Sequence, residues 1–174
     1  MPRRYLIFCP GEYYHLYNRG VNRGKIFFES DNYRFFLERI ERYLLPIMDL
    51  LAYCLMPNHY HLLVSIAEPR TSEVLKTSEV SKAMMKLSVS YTKAINKRFD
   101  RVGPLFQGAF QARHIDTNAY LWQLAGYLHQ NPVEAGLVDK PEDWLYSSCR
   151  AYNSVRFSDP APISLANLTF QNRN

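Results

Sequence analysis

Residues 55–64 read LMPNHYHLLV, and how this stretch folds decides how the rest of the chain is arranged. Pro57–Asn58 joins two apolar runs, and the second is rich in Leu, Val and Tyr, the composition of a strand. Side chains alternate along a strand, so His59, His61 and Leu63 share one face while Tyr60, Leu62 and Val64 share the other. The backbones of the two histidines then stand roughly 6.5–7 Å apart. Both rings can lean onto one cation. Three uses suit such a pair: core histidines satisfied by neighbours, an acid–base couple, or metal ligands.

Working outward, IMDLLAYCLMP (47–57) reads as the strand before the turn and NHYHLLVSI (58–66) as the strand after it. Upstream, GEYYHLYNRG (11–20) reads as a strand running into a turn, and VNRGKIFF (21–28) as a glycine-punctuated loop carrying Arg23 and Lys25. Ser30 or Asp31 is placed to cap a helix over 31–45 whose buried side holds Phe36, Ile40 and Leu44. Pro46 ends it.

Downstream, TSEVLK (71–76) is followed at once by TSEVSK (77–82). This local duplication suits an exposed loop or a frayed helix start. A helix to about Phe99 follows. Lys82, Lys86, Lys93 and Lys97 form one stripe, opposite Val80, Ala83, Leu87, Tyr91 and Ala94. That stripe is either a solvated face or a phosphate-contacting ridge. GPLFQGAFQARHI (103–115) reads as a strand with Gly108 permitting a bulge. Asp116 can cap a last helix over 117–131, which Pro132 should interrupt. The first six elements run strand, helix, strand, strand, helix, strand. This is the β-α-β-β-α-β order of an α+β, ferredoxin-like antiparallel sheet, here with an additional C-terminal helix. In its simplest pairing the His59–His61 strand is central, with helices on one face and the other face left for a ligand or more structure.

A chain of 174 residues suits a single domain, drawn over 1–150 with a tail over 151–174. Hydrophobic residues are 47%, so the chain is globular. Lys plus Arg exceeds Asp plus Glu by 21 to 16, a surplus of 5, which favours a polyanionic partner. Tyrosine numbers 13, and aromatic rings beside basic groups suit stacked, unpaired bases. Cys9, Cys54 and Cys149 are scattered, with no CxxC pair. They suggest neither a zinc ribbon nor a disulfide framework, and a reducing cytoplasm fits. The longest apolar region is broken by Pro46 and Asp49, so no membrane span is expected.

On the last helix, Tyr120, Leu124 and Asn131 fall within 60° of Tyr127 at helical spacing. Tyr127 sits at the edge of the apolar stripe, where it is either a half-buried packing residue or a tyrosine with its ring held and its hydroxyl free. Asn131, one turn on, offers a carbonyl oxygen. It is also an excellent cap for a short helix starting at Pro132. Two imidazole nitrogens and one amide oxygen leave open sites on a hard divalent ion, Mg²⁺ or Mn²⁺, for phosphate oxygens.

YHLYNRG, YCLMPNHYHLLV, LFQGAFQARHI and YLHQNPVEAGLV…PEDWLYSS together resemble the single-tyrosine HUH transposases, and in particular the REP-associated tyrosine transposases. The resemblance covers most of residues 13–150. It implies a ferredoxin-like endonuclease domain that acts on single-stranded DNA, usually at a hairpin, through a divalent metal and a 5′-phosphotyrosine. His59 and His61 match the family's metal motif, and Tyr127 matches its nucleophile. Asn131 matches the position where mobile members carry a metal-binding glutamine. Ala109 stands where related sequences often have a basic residue. Arg19, Arg23, Lys25 and Arg113 are candidate DNA contacts. Mobile relatives pair as dimers, whereas REP-associated members work alone, so the resemblance admits a monomer or a homodimer. Two other readings stand beside it: a replication-initiator or relaxase-type HUH nuclease, and a DNA-binding regulator that has lost catalysis.

Overall fold

Three early apolar, β-prone segments form strands, and a computed structural model of the chain, which describes residues 6–68 and 77–153, arranges them with a fourth in one sheet. The strands are β1 (Tyr13–Arg19), β2 (Met48–Met56), β3 (His59–Ile66) and β4 (Gln111–Ile115). Their order is β2-β3-β1-β4, and every pairing is antiparallel. Helices α1 (Ser30–Tyr43) and α2 (Thr77–Arg98) fall in the expected places between strands. The expected α+β ferredoxin-like plan holds, with β3 beside β1 at the centre.

The two faces carry different cores. Tyr14, Leu16, Leu62 and Val64 cluster with Phe36, Leu37 and Ile40 of α1 and with Val80, Met84, Leu87 and Tyr91 of α2. Cys54, Met56 and Leu63 cluster with Leu121, Leu124, Ala125 and Leu128. These last four belong to α3 (Asn118–Glu134), which covers the second face and packs on β2 and β4. Tyr60 belongs to the first cluster and is fully buried, so it points away from the histidines beside it. The lysines of α2 are exposed on the helix across the sheet from the histidine-bearing face. That stripe therefore faces solvent, away from the histidines.

Several boundaries differ from expectation. The strand expected over 103–115 shrinks to β4, because Gly103 and Gly108 adopt φ of +87° and +107°, which an extended strand cannot contain. The cap of α3 is Thr117, whose hydroxyl accepts from the Tyr120 amide, and not Asp116. The cap of α1 is Glu29: Asn32 Oδ1 accepts from the amides of Phe28 and Glu29. Pro132 does not end α3. It lies in the last turn, where a missing amide removes a single bond of the ladder. The helix then closes through Ala135 N–H to Asn131 O and Leu137 N–H to Pro132 O. Asn131 therefore caps no following helix; its Nδ2 donates back to the Tyr127 carbonyl at 3.3 Å. Of the repeated hexapeptides, TSEVLK lies outside the described residues, and TSEVSK forms the start of α2. The tail beyond 153 also lies outside them.

The segment after α3 wraps the core and completes the sheet edge. Leu55 N–H donates to Tyr146 O, and Cys54 bridges Ser147. Trp144 Nε1 donates to Leu55 O at 3.0 Å. A short helix α4 (Cys149–Asn153) follows. Ser148 anchors this strap: its buried Oγ accepts from Tyr53 N–H at 2.9 Å, donates to Tyr53 O at 3.2 Å and meets His129 Nε2 at 2.8 Å. Ser148→Ala strands a buried amide and a buried ring nitrogen. We expect unfolding in urea to report a loss of about 2–3 kcal/mol.

Candidate functional site

Register decides what stands beside the two histidines. Arg19 lies opposite His59 and Tyr17 opposite His61, while Arg113 lies opposite His15 on the far side of β1. Because alternate residues share a face, His15, Tyr17, Arg19, His59, His61 and Arg113 all project on the α3 side of the sheet. The rings of His59 and His61 are 5.0 Å apart between centroids at 82°. His15 stacks 5.0 Å from His61, and Tyr17 stacks 4.7 Å from His15.

Each histidine of the pair has a partner on its Nδ1. His59 Nδ1 is 2.6 Å from Asn58 Oδ1. Asn58 Nδ2 in turn donates to the Arg23 carbonyl at 3.2 Å, which fixes the orientation of the amide. An amide oxygen only accepts, so His59 carries its proton on Nδ1 and leaves Nε2 with a free lone pair. His61 Nδ1 faces His15 Nε2 at 2.9 Å.

The rings are uncharged at neutral pH. Burial pushes His61 down to about 3, with His15 and His59 adding to the effect, and pushes His15 down to about 4, with help from Arg113. His59 is lowered by burial and then by Arg19. His129, held against Ser148, is likewise pushed down by burial to about 4. Below about pH 6.5 the unfolded chain takes up protons that these folded rings refuse. Stability is therefore full above pH 6.5 and is lost as pH falls towards 4. A series of thermal unfolding midpoints from pH 8 to pH 4.5 should fall by several degrees below pH 6.5; a flat profile contradicts it.

The arginines and the loop surround this cluster with positive charge. Arg19 is exposed, and its Nε donates to Gln107 Oε1. Arg113 is exposed, with Nη1 3.5 Å from Tyr120 Oη. Arg23 and Lys25, also exposed, belong to the loop clamped to the β2–β3 turn, where Gly20 N–H donates to Asn58 O and Ile26 N–H to Pro57 O. Gly20 has to be glycine, since a Cβ there would collide with the Gly24 carbonyl oxygen.

Tyr127 stands on α3 with its side chain 49% exposed, between the buried Leu124 and Leu128. Asn131 Oδ1 has no partner among the described residues. Among those residues no ring contact joins Tyr127 to His59 or His61. The structure thus brings the two histidines together, adds His15 to them, and puts Tyr127 and Asn131 on the helix above the same face. A hollow lined by Trp122, Ala125, Gly126, His129 and Tyr152 lies on the side of α3 turned away from Tyr127. Among the described residues no three His, Cys, Asp or Glu side chains are grouped to hold a metal. Two neutral imidazoles fit a divalent ion only if oxygens from outside that set complete it, such as an amide or a phosphate. The ordinary sequence signals missed His15. The alternation in YYHLYNR places it with Tyr13 and Tyr17, but only the register of β1 against β3 brings it to His61.

A family model described as IS200-like transposase matches residues 10–131. Among solved structures, a REP-associated tyrosine transposase bound to a REP hairpin superposes with a TM-score of 0.71 at 16% identity, over 94% of this chain and 96% of that one. A candidate transposase from Deinococcus radiodurans R1 gives 0.43 at 16% identity, over 75% of this chain and 96% of that one. A bacterial tRNA(His) guanylyltransferase-like protein in complex with GTP gives 0.45 at 12% identity, over 75% and 70%. No curated protein sequence matches significantly. Among the described residues no helix is long and apolar enough to cross a membrane.

Proposed function

Because the chain belongs to the family of IS200-like transposases, and is a DNA-processing enzyme, we propose that it nicks and rejoins single-stranded DNA at REP-like hairpins, through a covalent bond between Tyr127 and a 5′-phosphate. The observation that carries this reading is the pair of uncharged imidazoles on a central strand, under the helix that bears an exposed phenol and beside exposed arginines.

His59 Nε2, His61 Nε2 and Asn131 Oδ1 would hold Mg²⁺ or Mn²⁺. When bound, such an ion supplies Lewis-acid charge to a phosphoryl oxygen. Arg19 and Arg113 hold the DNA strand by its phosphates, and Arg23 and Lys25 extend that grip along the hairpin. Tyr127 Oη attacks phosphorus and gives up its proton as the new O–P bond forms. The P–O3′ bond breaks, and the departing 3′ oxygen takes a proton. One phosphodiester has become another, so the energy of the bond is kept. A second 3′-hydroxyl can then reverse the step with no nucleotide cofactor.

The test uses end-labelled hairpin DNA, the full chain and Mn²⁺ or Mg²⁺. A protein–DNA adduct that survives denaturation is expected, and chelation should abolish it. Tight hairpin binding with no adduct under either ion would overturn the enzymatic reading in favour of a regulator.

A further inference from the structure

We infer that His15 is a positioning residue that sets the tautomer of His61 and so exposes His61 Nε2 to a metal ion. The inference rests on the metal-binding reading above and goes beyond it. His15 Nε2 and His61 Nδ1 are 2.9 Å apart, a hydrogen bond in which only one of the two nitrogens carries a proton. If His15 donates, His61 keeps its own proton on Nε2, and that nitrogen cannot take a cation. If His61 donates, its Nε2 is bare. The bond therefore has one metal-competent form, with His61 Nδ1–H pointing at His15 Nε2.

His59 shows the same design with a different partner. Asn58 Oδ1 accepts from His59 Nδ1 and leaves Nε2 bare, and the Arg23 carbonyl holds that amide in place. Two neighbouring rings thus each leave Nε2 for a cation, each through an acceptor on its Nδ1. An acceptor there also orients the ring and raises its basicity as a ligand. His15 is suited to the task because it is itself fixed: it is 8% exposed, stacked on Tyr17 and stacked on His61.

The experiment compares the wild-type chain with His15→Leu and His15→Gln, without DNA. Leucine fills the space and offers no acceptor, whereas glutamine offers a carbonyl oxygen. Mn²⁺ affinity, read by electron paramagnetic resonance, should weaken about 10–100-fold in His15→Leu. In His15→Gln it should recover to within about threefold, since the lost interaction is restored. Imidazole ¹⁵N shifts of the Mg²⁺-loaded wild type should show His61 protonated on Nδ1 only. An unchanged Mn²⁺ affinity in His15→Leu overturns the inference, as does a loaded His61 protonated on Nε2. If His15→Leu proves misfolded by circular dichroism, the ¹⁵N signature of the wild type decides alone. Wild-type protein that binds no Mn²⁺, or binds it undiminished in His59→Ala, overturns the metal reading itself, a distinct result.

Discussion

Tyr127→Phe should abolish the denaturation-resistant adduct and lower strand cleavage by about a thousandfold or more, equivalent to about 4 kcal/mol of transition-state stabilisation. The change deletes one oxygen, the proposed nucleophile. It should delete nothing else, because Tyr127 is half-exposed and Leu124 and Leu128 on either side bury the helix without it. Binding to the hairpin and the thermal midpoint should both match the wild type. The decisive measurement is a denaturing gel of labelled DNA after incubation with each protein. An adduct of equal yield in Tyr127→Phe would place the nucleophile elsewhere. Tyr120, on the same helix as Tyr127, would be the next residue to test, since its hydroxyl already meets Arg113 of β4.

His59→Ala and His61→Ala should each lose metal-dependent cleavage, by about a hundredfold or more, with the fold retained. Their stabilities should differ. His59 gives up a bond to Asn58 at a half-buried strand end. His61 leaves the more deeply buried His15 without its partner, and that costs about 1–2 kcal/mol more. Mn²⁺ binding, cleavage and urea unfolding measured on the same samples separate the roles. If either variant is unfolded at neutral pH, these are core histidines and the metal reading fails.

How much could be read without coordinates depends on the range of each signal. Alternation is local, so the faces of His59, Tyr60 and His61 were legible from ten residues and agree with the two cores. The order of elements carried the sheet plan for the same reason. Long-range register was not legible. No feature of YHLYNRG says that His15 will meet His61, because that depends on how β1 is slid against β3. The bias that a proline puts on the residue before it points to a break at Pro132, but tertiary packing keeps Asn131 helical and the last turn closes through the Asn131 and Pro132 carbonyls. The segment 103–110 misled because its aromatic composition suits a strand, whereas two glycines at positive φ turn it into a loop. The docking of residues 144–148 on β2 rests on bonds from Trp144, Tyr146 and Ser148 to the backbone of Tyr53 and Leu55, which composition does not reveal.

The repeated hexapeptide gains a meaning from where the chain leaves the sheet. β3 runs from His59 to Ile66, so the exit towards residues 71–82 is roughly 23 Å from the imidazole at its start. The chain resumes as α2 on the opposite face. The second copy, TSEVSK, thus opens a helix across the sheet from the proposed site, so substitutions within residues 77–82 should leave hairpin cleavage unchanged.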